Sequence, residues 1–255
     1  MRLLFVASDP MEFPGILSKA EQTRSESLPI DWARTAKLGA HQVLLATNGV
    51  GWDRAAAAVD AAAGFRPDAV ISTGFCGALE EGLKIAEIVV GTCIRQNFDR
   101  DAGPPERTPR KRACVTYPAR HLDCPAGQGK HPRIRTRFGP VCSINHVAQT
   151  AEEKARLRST TRSCAVEMEA AGVAERAKAL GLPFHCVKAV TDLAGETMAN
   201  DFNSALRSDG HFDTMLILRR SLRHPTVRLP ELLRLRNRCV RAARALGEFF
   251  ADCRF

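Results

Sequence analysis

The sequence predicts an α/β fold with a largely parallel central sheet. Three observations predict it: apolar runs of strand length alternate with helical segments, glycine-rich turns follow several of those runs, and carboxylates stand where two of them end. The chain has 255 residues, enough for one large domain with an ample core. Its 45% hydrophobic and 25% charged content is ordinary for a globular protein.

Each element follows from local pattern. Arg2 to Ala7 reads as a buried strand, and the loop Asp9-Pro10-Met11-Glu12-Phe13 follows it. Pro14 suits the first turn of a helix running to about Ala20. Ser27 to Leu38 and Gln42 to Thr47 read as strands joined by a turn at Gly39-Ala40. Asn48-Gly49-Val50-Gly51 is a glycine turn before an alanine-rich helix, Trp52 to Ala63, which Gly64 ends. Asp68 to Thr73 is a short apolar strand, Gly74-Phe75-Cys76-Gly77 a loop, and Ile85 to Ile94 another strand. From about residue 96 to 139 Pro, Gly, Arg and Lys dominate, with one strand signal around Ala113 to Tyr117. A stretch that long reads as a functional excursion. Order resumes with Pro140 to Ile144 (strand), Thr150 to Arg158 (helix), Ser163 to Met168 (strand), Ala170 to Leu180 (helix) and Phe184 to Asp192 (strand). Helical segments at Asp201 to Arg220 and Pro230 to Phe250, divided by His224-Pro225, complete the chain. The organisation expected is a single domain over 1–255, with a basic insertion at about 96–139 and a basic helical extension at about 211–255.

Composition excludes several classes. No run approaches the roughly 18 apolar residues of a membrane span. The first ten residues read as a strand rather than a signal peptide, because the apolar run is short and Asp9 follows at once, so a cytoplasmic protein is expected. Nine scattered cysteines form no C-x-x-C pair, which argues against a metal site and for small buried thiols in a reducing compartment. The net charge is +9, and residues 207 to 255 hold 11 arginines against 5 acids. One Tyr and two Trp supply no stacking platform, so nucleic acid is not the expected partner of that charge.

The most informative stretch is Cys164-Ala165-Val166-Glu167-Met168-Glu169-Ala170, followed by Val190-Thr191-Asp192. Carboxylates at the carboxyl ends of buried strands are costly unless they bind something, and that sheet edge is where α/β folds place ligands. Together with Pro67 to Leu79, which holds Gly74-Phe75-Cys76-Gly77, and the strand Ile85 to Val90, these stretches resemble the nucleoside phosphorylase/nucleosidase superfamily. Within it they are similar to the methylthioadenosine/S-adenosylhomocysteine nucleosidases. The resemblance covers most of residues 1–205. It implies a three-layer α/β/α domain with a central mixed, largely parallel sheet, and an enzyme that cleaves the N-glycosidic bond of a 5′-modified adenosine to release adenine. It also implies a homo-oligomer and requires no cofactor and no metal.

Residue by residue, Asp192 resembles the acid that interacts with purine N7, its plain alternative being a helix N-cap before Leu193. Glu169 resembles the carboxylate that grips the ribose 2′ and 3′ hydroxyls, against an acid favoured in a first helical turn. Met168 would form the apolar wall under the ribose, while Glu167 reads as structural. Glu12 falls where hydrolytic members carry the glutamate that activates water, although the run of acids around it is missing; a solvated loop acid is the alternative. His146 falls near the aromatic that stacks on the base, against an ordinary surface histidine. Phe75, Cys76 and Gly77 form the substrate side of the glycine loop. Phe75 stands where a serine would help hold phosphate, which favours water over phosphate as nucleophile; Arg54 or a neighbouring subunit could supply a cation for the other reading. A phosphorylase of the same bond and a catalytically silent nucleoside-binding protein are the competing readings.

Three features depart from the nucleosidases: Gly195 stands where an acid is expected, with Glu196 one place later; the insertion is long and basic; and the tail is rich in arginine. The tail pattern from Arg223-His224-Pro225 to Leu235 is similar to that of the hopanoid-associated branch, whose members act on the lipid nucleoside adenosylhopane. A basic helix carrying Leu232, Leu233 and Leu235 could lie on an anionic membrane surface, or pack on the domain with its arginines in solvent.

Overall fold

A computed structural model describes residues 1–97, 115–120 and 135–253. The sheet order is β2-β3-β4-β1-β5-β11-β6-β10-β9-β7-β8. In chain order the strands are β1 (Arg2–Ala7), β2 (Glu21–Ser25), β3 (Trp32–Leu38), β4 (His41–Thr47), β5 (Ala69–Ser72), β6 (Phe75–Ala78), β7 (Ile88–Gln96), β8 (Val115–Pro118), β9 (Thr136–Ser143), β10 (Ala165–Glu167) and β11 (Phe184–Asp192). The helices are α1 (Pro14–Leu17), α2 (Trp52–Ala61), α3 (Ala151–Thr161), α4 (Ala170–Ala179), α5 (Thr214–Ser221) and α6 (Pro225–Asp252).

Strand β1 shows why the sheet has two covered faces. Leu4 and Val6 point into one core with Val59 of α2 and Val173 of α4, while Leu3 and Phe5 point into another with Phe249 and Phe250 of α6. Successive side chains of a strand face opposite ways, so an all-apolar strand must be covered twice. Phe5 meets Phe250 edge to face at 4.9 Å. Three layers result, as expected.

Strand β11 organises the site. Its nine residues are all buried. Phe184–Cys186 pair with β5, whereas the later residues pair with β6 in parallel and with β7 antiparallel. The pairings β7–β9, β9–β10 and β10–β6 then close these five strands on themselves. Opposite Cys76 and Gly77 the register slips between Val190 and Asp192. One unpaired residue bends the strand and re-aims the side chains after it.

Several boundaries differ from the sequence reading. Gly74–Gly77 is not a loop throughout, because Phe75–Ala78 find partners on both β11 and β10. The helix at Pro14 stops at Leu17, and the first residues of the Ser27–Leu38 run stay outside β3, while the exposed β2 precedes them. Between Asp201 and Arg220 only a single 3-10 turn and α5 are helical. Helix α6 begins at Pro225, with His224 at the N-cap position but no side-chain cap bond, and continues through Pro230. Within the 96–139 insertion the described part includes β8, paired antiparallel to β7; the rest of that expectation lies outside the described residues.

Candidate active site

All eight residues singled out as site candidates, Glu12, Phe75, Cys76, Gly77, His146, Met168, Glu169 and Asp192, line one cavity of about 580 Å³ at the carboxyl edge of the sheet. Two charged clusters divide it.

The first cluster surrounds Lys188, which β11 carries into the interior. Its ammonium lies 3.0 Å from Glu167 and 3.5 Å from Glu169, and donates to the Thr73 carbonyl at 2.9 Å. Burial works to lower the Lys188 ammonium, but Glu167 and Glu169 outweigh it and hold it above its ordinary value. Glu167 accepts the backbone N–H groups of Glu169 and Ala170 through one oxygen, so it caps α4 and fixes the turn that presents Glu169. Its other oxygen, buried, has no partner among the described residues. Glu169 is pushed up to about 7, by burial first and by its carboxylate neighbours Glu167 and Glu12, against the pull of Lys188.

Glu12 is not a solvated loop acid. It is 4% exposed, in a 3-10 turn whose Asp9 forms a capping box with it. Its Oε2 accepts Ser8 N at 2.8 Å, Ser8 Oγ at 2.9 Å and Asp9 N at 3.1 Å. Its Oε1 accepts Phe75 N at 2.6 Å and keeps a lone pair free of these contacts. Burial raises its pKa despite Lys188 and these donors.

The second cluster sits on the β11 bulge. Asp192 Oδ2 lies 2.5 Å from the Lys154 ammonium, and Oδ1 accepts the Thr191 hydroxyl at 3.2 Å. No helix follows Asp192, so it does not act as an N-cap. Gly77 lies under this carboxylate, where a Cβ would stand 2.8 Å from Oδ2. Lys154 is fully buried in α3 and also donates to the carbonyls of Leu193 at 2.9 Å and Glu196 at 3.3 Å. Glu196 is held low by Arg238 of α6, which grips both its oxygens at 2.7 and 2.8 Å.

The remaining candidates have plainer positions. His146 is half exposed at the cavity edge, its ring nitrogens held by Glu153 at 2.5 Å and Asn145 at 3.0 Å. Met168 and Cys76 are buried in the wall, and burial pushes the Cys76 thiol up. Arg54 does not line the cavity; its guanidinium donates to the Ser208 carbonyl at 3.0 Å. Cys142, Cys164, Cys186 and Cys239 are buried thiols. Among the described residues no group of three His, Cys, Asp or Glu is placed to hold a metal.

Sequence reasoning missed both lysines and one arm of the cavity. Lys188 left a signal, as one cation within an apolar strand. Lys154, in the polar run Glu152-Glu153-Lys154, left none. The arm is largely apolar: Phe212, Ile217 and Leu218 line it from α5 and its approach, Leu232 and Leu235 from α6, with Thr214 and Arg236 among them. Leu218 is 43% exposed, so the arm opens to the surface there.

Known proteins repeat this arrangement of elements. A 5′-methylthioadenosine/S-adenosylhomocysteine nucleosidase of Bacillus licheniformis is 26% identical over 227 residues, covering 86% of this chain and 97% of the relative. The corresponding protein of Aeromonas salmonicida is 27% identical over 192 residues, covering 72% and 82%. In structure the chain is similar to the Neisseria meningitidis nucleosidase in complex with methylthio-immucillin-A, with TM-score 0.67, 21% identity and 97% of both chains covered. It is equally similar to native futalosine hydrolase of Helicobacter pylori, with TM-score 0.69, 16% identity, and 98% and 97% covered. At such identities the structural likeness speaks to the fold. The family profile described as Phosphorylase superfamily matches residues 2–212, and on that match this chain belongs to the phosphorylase superfamily.

Proposed function

We propose that this protein hydrolyses the N-glycosidic bond of a 5′-modified adenosine, releasing adenine, and that the 5′ group is large and apolar. The observation that carries the reading is one cavity holding both charged clusters and, beyond them, an apolar arm. Breaking the bond develops positive charge on the ribosyl ring. Glu12, Glu167 and Glu169 set three carboxylates against one ammonium there, a preorganised anionic environment for that charge. Glu169 accepts the ribose hydroxyls, and Glu12 takes the proton of the attacking water at Oε1. Asp192 is the group beside the departing base. The names of the curated relatives support a nucleosidase.

Water rather than phosphate suits the Glu12 end. A phosphate dianion would face three carboxylates, and Lys188 is already committed to two of them. Phe75 and the diversion of Arg54 to Ser208 point the same way.

The apolar side chains Phe212, Ile217, Leu218, Leu232 and Leu235 in the lining suit a 5′ group larger than methylthio. On α5, α6 and the turn between them, Met215, Leu222, Val227 and Leu233 are exposed, as are Arg219, Arg223 and Arg234. That mixture fits the interface of an anionic bilayer, from which a lipid nucleoside would enter. No helix among the described residues is long and apolar enough to cross a membrane.

The test is adenine release from methylthioadenosine, adenosylhomocysteine and adenosylhopane, with and without phosphate. Phosphate-independent release, with kcat/KM rising as the 5′ group grows more apolar, supports the reading. Release only with phosphate overturns hydrolysis. Thermal stabilisation by these nucleosides without any turnover would make the protein a binding module. Co-sedimentation with phosphatidylglycerol vesicles but not phosphatidylcholine vesicles tests the bilayer contact, and sedimentation velocity tests the homo-oligomer.

A further inference from the structure

We infer that Lys154 is a working part of base departure: it supplies, through Asp192, the proton that the leaving purine takes. The inference rests on the reading of the site as a nucleosidase. An ammonium in a protein interior is costly unless its surroundings compensate it. Lys154 is 0% exposed, and its three partners are Asp192 Oδ2 and the carbonyls of Leu193 and Glu196. An apolar side chain would fill that space at less cost. What the lysine adds is a charge and a proton at Asp192.

In such an ion pair the proton resides on nitrogen, so Asp192 alone has none to give. Oδ2 is the oxygen that touches Lys154, and a Cβ built on Gly77 in the cavity wall would approach it at 2.8 Å, against 3.3 Å for Oδ1. With the base seated over Gly77, one oxygen would serve both the proton source and the base. The C1′–N9 bond breaks and its electron pair goes to the purine. A proton passes from Lys154 Nζ to Asp192 Oδ2 and on to purine N7, leaving a neutral amine. Water forms the new O–C1′ bond and gives its proton to Glu12.

Lys154 is 0% exposed, so it regains a proton from solvent by way of Asp192. Asp192 lines a second cavity of about 240 Å³ with Glu196, Glu231, Arg234 and Arg238, beside Met198, Phe202 and Leu235. It is large enough for several waters. The Arg238–Glu196 clamp, with Leu193 N donating to Glu196 at 3.0 Å, fixes the turn whose carbonyls hold Lys154.

A leaving group that needs no proton separates this role from simple support. Adenine release and 4-nitrophenolate release are measured on ribosides bearing the same 5′ group. Lys154→Met is expected to lower kcat for adenine release about 100-fold or more, with a loss under about tenfold for 4-nitrophenolate. Equal losses on both substrates, or no loss on either, overturn the inference. Should thermal melting show that Lys154→Met does not fold, the double variant Lys154→Met/Asp192→Asn serves, because removing both charges leaves none unpaired. It is expected to match Asp192→Asn in adenine release. A double variant about 100-fold below that single one makes the two residues independent, and overturns the inference. Failure of the wild type to release adenine from any nucleoside would instead overturn the nucleosidase reading, before any variant is made.

Discussion

Gly74 shapes the seat of Glu12, and replacing it is the sharpest single test of that carboxylate. Gly74 has φ +113°, where side chains are strained, and a Cβ there would lie 2.3 Å from Glu12 Oε1 and 2.7 Å from its Cδ. Ordinary contact begins at 3.4 Å, so the carboxylate must retreat by roughly 1 Å, a displacement that costs on the order of 100-fold in rate when it misplaces a reacting group. Retreat also strains the bonds from Phe75 N and from Ser8, each about 1–3 kcal/mol when a buried acceptor loses its donor. Gly74→Ala is therefore expected to lower kcat for adenine release about 100-fold. The control is Gly82→Ala: φ there is +93°, but nothing lies within 4 Å of the added carbon. Both proteins are assayed by the absorbance change on nucleoside hydrolysis and by thermal melting. If Gly74→Ala keeps activity within about threefold of Gly82→Ala, the seat of Glu12 is not what sets the rate.

Three further outcomes follow from the same geometry. Glu169 titrates near 7 folded against 4.5 as a free side chain, so the folded state binds protons the unfolded state has released, and stability falls as pH rises between those values. The kcat/KM for nucleoside cleavage should rise over the top of that window as Glu169 ionises; Glu169→Gln should abolish both slopes, and a variant that keeps them would reassign the titration. Lys188→Met leaves Glu167 and Glu169 buried without their cation, so urea unfolding at pH 8 should show a loss of about 3–5 kcal/mol, shrinking toward pH 5.5 as Glu169 protonates; a pH-independent loss would contradict it. Leu235→Asp places a charge in the apolar arm and should raise KM for adenosylhopane while sparing methylthioadenosine; equal effects on both would disconnect the arm from the 5′ group.

The sequence by itself determined the frame: β1, β4, β11, α2, α3 and α4 lie close to where apolar runs, glycine turns and caps put them. Its pattern also paired Glu169, just after β10, with Asp192, the last residue of β11, at one sheet edge, whereas Glu12 was joined to them only through the family resemblance. It did not reveal β6, because Gly74 and Gly77 read as turn residues and only pairing with β10 and β11 makes Phe75–Ala78 a strand. It did not reveal β2, whose five residues are all exposed and so carry no period. The tertiary structure alone decided the electrostatics. A lysine on a polar helix reads as solvated until packing brings it to Asp192, 38 residues away in the chain. A carboxylate's charge likewise depends on neighbours that only folding supplies. Local pattern encodes where strands and turns fall, because it acts over a few residues. Which charges are buried together is set by contacts distant in sequence, and that pairing turns a motif into a site.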